Sequence, residues 1–304
     1  MFQKSPAVYL FTILSALIVT PAQARPQTFV ASFGNDANPC GRVLPCRLIS
    51  RAMVETDTNG EVVVLDSANF LPITITKSIT LTAPPGIYAG ITSTVAGTSG
   101  VTIAANFDVV LRGLTINGLG GDNGILMNSN GNLSIENCVI SNFSGAGRHG
   151  VLVTSDATVR MVDTLIRDND SGIKLQGGGV TDISSSKFLG NNFAIIATST
   201  SAPFPSVIVS DTIVTAGGTG IEAISSGTGN ARISMIRTSV TNNLKGVASS
   251  ASAGTAPVTL SESMVAGNLV GYFVGAGGLI RSLFNNTITD NGSNTGSLTT
   301  IPLQ

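Results

Sequence analysis

The apolar residues of this chain follow a long period. A four-residue block ending in a β-branched or large apolar residue recurs eight times: Gly113–Ile116, Asn137–Ile140, Asp163–Ile166, Ser185–Phe188, Asp211–Val214, Arg237–Val240, Glu262–Val265 and Asn285–Ile288. Successive block ends lie 24, 26, 22, 26, 26, 25 and 23 residues apart. A period in the twenties marks a solenoid in which each repeat stacks on its neighbours. Seven and five residues before a block end stands a pair such as Val109/Leu111, Leu133/Ile135, Val159/Met161 or Val207/Val209. That alternation is one buried face of a strand. Three residues after it comes Asn169, Asn191, Asn243, Asn268 or Asn291. Six residues after it a small residue precedes an apolar one, as in Gly172-Ile173, Ala194-Ile195, Gly220-Ile221 and Gly246-Val247. Gly124-Ile125 and Gly150-Val151 fit with two and four additional residues.

Each repeat therefore reads as three short strands joined by tight turns. No repeat leaves room for a helix between its Gly and Asn breaks, and Thr, Val, Ile and Ser dominate. Three strands per coil describe an all-β, single-stranded parallel β-helix of about nine to ten coils, with coils ~4.8 Å apart. The Asn column is expected to supply a left-handed turn residue and an amide that bonds the Asn of the next coil. The regular Leu spacing of a leucine-rich repeat is missing.

Composition narrows the function. The chain has 304 residues, 11% of them charged, and a net charge of −1. Without a basic stripe, nucleic acid is an unsuitable partner. The 35 glycines follow no triplet period, so the chain is not collagen-like.

Residues 1–24 read as a signal peptide. Lys4 opens it, Val8 to Val19 is apolar, and Ala22-Gln23-Ala24 is a small-x-small cleavage site. No other stretch is long and apolar enough to span a bilayer, so no transmembrane segment is expected after its removal. Residues 25–60 hold an initial strand and a loop with Cys40 and Cys46, which an exported chain is expected to join as a disulfide. They also hold the one expected helix, Cys46 to Thr56, as an N-terminal cap over the open end of the solenoid. The β-helix occupies 61–291, with a Gly/Thr-rich loop from Pro84 to Gly100, and 292–304 form a tail. Cys138 stands where other repeats carry Thr164, Thr212 and Thr238, and reads as a buried small residue.

The repeat spacing, the Gly-Ile/Val step and the Asn column resemble right-handed parallel β-helix proteins of pectate-lyase-like architecture. The segments Gly34–Cys40, Pro45-Cys46, Leu65-Asp66 and Ile75–Leu81 resemble the entry of uncharacterised secreted bacterial proteins with this repeat. The resemblance implies the handedness and a secreted, periplasmic or cell-surface location. It says little about activity, because lyases, hydrolases, adhesins and inert surface proteins share the scaffold.

Residues at one offset in adjacent coils are neighbours, so candidate chemistry can be sought column by column. Arg112, Glu136, Arg160 and Asp182 would alternate in sign on one face, which fits surface ion pairs. Lengthened turns at Gly120–Gly124 and Gly145–Gly150 bring Asp122, Arg148, His149, Asp168, Asp170 and Lys174 to one corner. The run Arg148-His149-Gly150, then Gly172-Ile173-Lys174, faintly resembles two polygalacturonase motifs. The Asn-Thr-Asp and Asp-Asp motifs that should precede the His are absent, so that family's acid and water-activating carboxylates are missing. Asp122, Arg148, His149, Asp170 and Lys174 are thus the catalytic candidates of a carbohydrate-active lyase or hydrolase. Only a lyase would bring in calcium; no other cofactor and no metal site is indicated. His149 is expected to be solvated in its Gly-rich turn. The residues after the Gly-Ile step, among them Leu126, Leu152, Lys174, Ile196 and Phe273, are expected to form an outward, partly apolar binding stripe. A second such stripe comprises the residues before each block end. The favoured expectation is an exported, non-catalytic scaffold that binds a polysaccharide or cell-surface protein, with the stripe also open to self-association.

Overall fold

A computed structural model describes residues 25–302. The expected signal peptide, 1–24, lies outside the described residues. Three parallel sheets form the walls of a right-handed solenoid of about nine turns with 3% helix. We call them face A (twelve strands), face B (ten) and face C (ten). One coil runs from face C (Asn123–Met127) to face A (Asn132–Glu136) to face B (Val139–Ser141).

The block ends lie on face B. Ile116, Ile140, Ile166 and Phe188 are register partners, and the column continues through Val214, Val240, Val265 and Ile288. The paired positions, such as Leu133 and Ile135, stack on face A. The Gly-Ile step starts the strands of face C. The inward residues of all three faces join one core. Stacking like on like is what lets a chain of short strands bury enough apolar surface to fold.

The corners differ from expectation. The left-handed residue between faces B and C is not the recurrent Asn but the residue before it, Asp168, Gly190, Asn242, Gly267 or Asp290; Asn142 and Ala216 take the same place before Phe143 and Gly217, in coils without that Asn. The Asn itself is buried in four of the five coils. Its amide runs between coils, with Asn169 Nδ2 donating to Asn191 Oδ1 (3.0 Å) and Asn243 Nδ2 to Asn268 Oδ1 (3.1 Å). Asn is thus required for its two-sided amide, while the neighbour takes the strained backbone. Between faces A and B the left-handed residue is the first of the block in seven of the eight blocks, all but Asn285, including Arg237 and Glu262. A buried hydroxyl follows: the Thr164 N–H donates to Ser186 Oγ (3.2 Å), and the Thr238 N–H to Ser263 Oγ (3.2 Å). Cys138 occupies this column, its Sγ donating to the Leu111 and Glu136 carbonyls. Burial pushes its thiol up to about 11.

At the amino-terminal end, Gln27–Val30 pairs with Gly60–Val64. Helix α1 (Ile49–Glu55) buries Ile49, Ala52 and Met53 against this end. Cys40 and Cys46 form a disulfide. Two strands of face B were not expected: Ala68–Phe70, and Ala89–Ser93 inside the supposed loop from Pro84 to Gly100. Each buries one large residue, Phe70 or Ile91, without the four-residue block that marks face B elsewhere. Within 292–302 the coil continues, as Ser293–Thr295 on face C and Thr299–Ile301 on face A.

Candidate binding face

Face C carries the stripe expected from the sequence. Leu126, Leu152, Lys174, Ile196, Glu222, Ala248 and Phe273 are successive register partners across seven coils. The expectation that all point freely to solvent needs correction: Ile196 and Ala248 are buried and the other five half-buried. At ~4.8 Å between coils, side chains on a flat sheet shield one another. The stripe is therefore a smooth surface, interrupted by charges at Lys174 and Glu222. Lys245, from the column that opens each strand, places Nζ 4.7 Å from the Phe273 ring centroid. Burial raises the Glu222 carboxyl, and Lys245 partly offsets this. Lys245 stands directly before the Gly246-Val247 step, outside both stripes expected from the sequence. The second stripe, on face B, is more open, with Ile213 and Met264 exposed.

The lengthened-turn corner is less open to chemistry than its composition suggests. Arg148 and Asp122 pair at 3.7 Å, and Arg167 and Asp168 pair as well. Asp170 accepts from the Gly147 N–H (2.8 Å) and from Asn192 Nδ2 (2.9 Å). His149 is not solvated. It starts a strand of face C between Asn123 and Ser171 and is 7% exposed. Burial, then Lys174, lowers its imidazole to about 4, against the opposing pull of Asp170 and Asp122. It is a neutral imidazole whose Nδ1 has no hydrogen-bond partner among the described residues. A trough of about 440 Å³ lies beside Asp168 and Asp170, floored by Asn191 and Asn192. His149 does not line it.

Among the described residues no three His, Cys, Asp or Glu side chains converge as a metal-binding group. On face A, Arg112 and Arg160 both pair with Glu136, at 2.9 and 3.5 Å. Burial pushes the Glu136 carboxyl up, but Ser134 and the two guanidinium groups outweigh it and hold it low. Asp182 sits in register beside Arg160 but makes no ion pair within the described residues.

Coils of three short parallel strands, with stacked Asn and hydroxyl ladders at the corners, define a parallel β-helix repeat protein. The family model described as "Right handed beta helix region" matches residues 99–270, and the chain belongs to that family. No curated protein matches it by sequence. Among solved structures it is similar to pectate lyase Pel9A, with a TM-score of 0.69 and 14% identity over 91% of this chain and 80% of that one. It is also similar to an alginate lyase from Paenibacillus sp. (TM-score 0.59, 12% identity, 90% of this chain and 99% of that one). A third is a carrot pectin methylesterase (TM-score 0.53, 10% identity, 89% and 88%). At such identities the likeness is one of fold. Among the described residues no helix is long and apolar enough to cross a membrane.

Proposed function

We propose that this protein is an exported, non-catalytic scaffold that binds polysaccharide along face C. The reading is carried by the continuous stripe from Leu126 to Phe273, smooth enough to lie under an extended chain. Leu126, Leu152, Ile196 and Phe273 offer apolar contact to sugar rings. Lys174, Glu222 and Lys245 offer charge and hydrogen bonds at intervals of one or two coils. The names of the structural neighbours, two polysaccharide lyases and a pectin methylesterase, fit a carbohydrate ligand. The Cys40–Cys46 disulfide fits export. The test is binding of the chain from Arg25 onward to an array of acidic and neutral polysaccharides. A K174A/F273A variant is expected to lose that binding while keeping its circular dichroism. Equal binding by the variant would move the site elsewhere.

A second reading, a lyase or glycoside hydrolase at the lengthened turns, is favoured by one observation: a neutral, buried imidazole with a free Nδ1 beside Lys174 and Asp170. It predicts product release from one of the same polysaccharides, with loss of turnover in R148A/H149A. Binding without release supports the scaffold.

A further inference from the structure

A different surface, the corner between faces C and A, holds a pocket of about 280 Å³ lined by Phe204, Pro205, Ser206, Asn230, Arg232 and Pro257, among others. Its walls are held from several sides. Ser206 N–H donates to the Gly179 carbonyl (3.1 Å) and Arg232 N–H to the Pro205 carbonyl (3.0 Å). Pro203 packs so closely on the preceding coil that a Cβ added at Gly178 would lie 2.3 Å from it. Phe204 lies at the rim, 39% exposed. Asn230 Oδ1 is taken by the Thr255 N–H (3.0 Å) and hydroxyl (2.7 Å), so Asn230 presents its amide NH₂.

Arg232 and Arg281 differ from the other arginines, and of the two only Arg232 lines the pocket. Arg25, Arg51, Arg112, Arg148, Arg160, Arg167 and Arg237 are in ion pairs. Arg42 and Arg47 stack on Phe29 and Phe70. Arg232 has neither kind of partner among the described residues, although its strand lies between Ser206 and Pro257 at the pocket wall. A guanidinium, a free amide donor and an exposed ring edged by two prolines together suit one ligand chemistry. The guanidinium takes a carboxylate in bidentate fashion, and Phe204 takes the apolar face of the ring that carries it.

We infer that this pocket binds a carboxylate carried on a ring with an apolar face, independently of face C. Uronic acids and aromatic acids both present that chemistry. The test is ligand-observed NMR titration of the chain from Arg25 onward with glucuronate and with benzoate, and with glucose and benzyl alcohol as uncharged counterparts. The expected result is saturable binding of at least one acid, weakened about tenfold or more by Arg232→Gln and by Phe204→Ala, and unchanged by Arg281→Gln. Which acid binds identifies the source of the ligand. The inference is overturned if neither acid saturates, if the uncharged counterparts bind equally well, or if Arg232→Gln binds like the parent. Because K174A/F273A leaves the pocket untouched, its array result fails or succeeds separately.

Discussion

Asn268→Ala tests whether the Asn ladder stabilises the solenoid or merely fills it. Asn268 is 2% exposed. Its Oδ1 accepts from the Asn243 backbone N–H (3.0 Å) and from Asn243 Nδ2 (3.1 Å). Its Nδ2 donates to the Val240 carbonyl (3.0 Å), the Ala266 carbonyl (3.3 Å) and Asn291 Oδ1 (3.0 Å). Alanine removes all five bonds. Asn243 Nδ2 keeps the Thr241 carbonyl (3.0 Å), and Asn291 Oδ1 keeps the Asn268 N–H (3.1 Å). The group left without a side-chain acceptor is the buried N–H of Asn243. An orphaned buried donor costs about 1–3 kcal/mol, and the other lost bonds add on the order of 1 more. The expected loss is thus about 2–4 kcal/mol in urea unfolding followed by circular dichroism. Asn268→Asp costs more, because a carboxylate would then face two carbonyl oxygens in a dry site. A solenoid transmits such damage to nearest neighbours, so hydrogen exchange should accelerate at Asn243 and in the adjoining coils and stay unchanged near Leu111. A loss under about 1 kcal/mol, with the Asn243 amide still protected, would refute the reasoning.

Three further outcomes follow from the same geometry. The folded chain holds the His149 imidazole near 4 against an ordinary 6.5, so between those values only the unfolded chain takes up the proton. Stability is therefore whole above pH 6.5 and falls by up to about 3 kcal/mol as pH drops toward 4; His149→Gln should flatten that slope in denaturation midpoints against pH. Cys138, buried with its thiol near 11, should escape an aromatic disulfide reagent in the native protein and react once urea is added, whereas fast native labelling would contradict its burial. Ala216 has a left-handed backbone with φ of 59°, so Ala216→Gly should raise the urea midpoint by the equivalent of up to about 1 kcal/mol, and a fall would show that its methyl matters more than its strain.

The coil was legible because stacking puts like residues in one column, and a column of Ile116, Ile140 and Ile166 is visible as a period. The Asn column was legible as a ladder, but its backbone role fell to neighbours such as Asp168 and Asn242. Residue type alone does not report which of two adjacent residues takes a positive φ. The strand Ala89–Ser93 was missed because Tyr88-Ala-Gly-Ile91 shares no block with its partners. The burial of His149 was missed for a different reason: its Gly-rich turn looked open, and only the fold places Asn123 and Ser171 on either side. The Phe204–Arg232 pocket spans three coils, and Ser206, Arg232 and Pro257 do stand at one offset from their block ends, but that column carries no shared residue type to mark it.

Beyond the first pair, Gln27–Val30 with Gly60–Val64, strands pair with those of the adjacent coils and not with the next strand in the chain, and this sets how the molecule bears tension. A pull on its two ends along the axis loads the inter-coil hydrogen bonds end to end, so the coils detach singly and in succession. Each detachment frees about 25 residues, roughly 80–90 Å of extended chain, in place of a rise of ~4.8 Å. The force trace should be a row of evenly spaced steps. The solenoid would act as a ratcheted tether that lengthens in fixed increments and keeps its remaining coils folded.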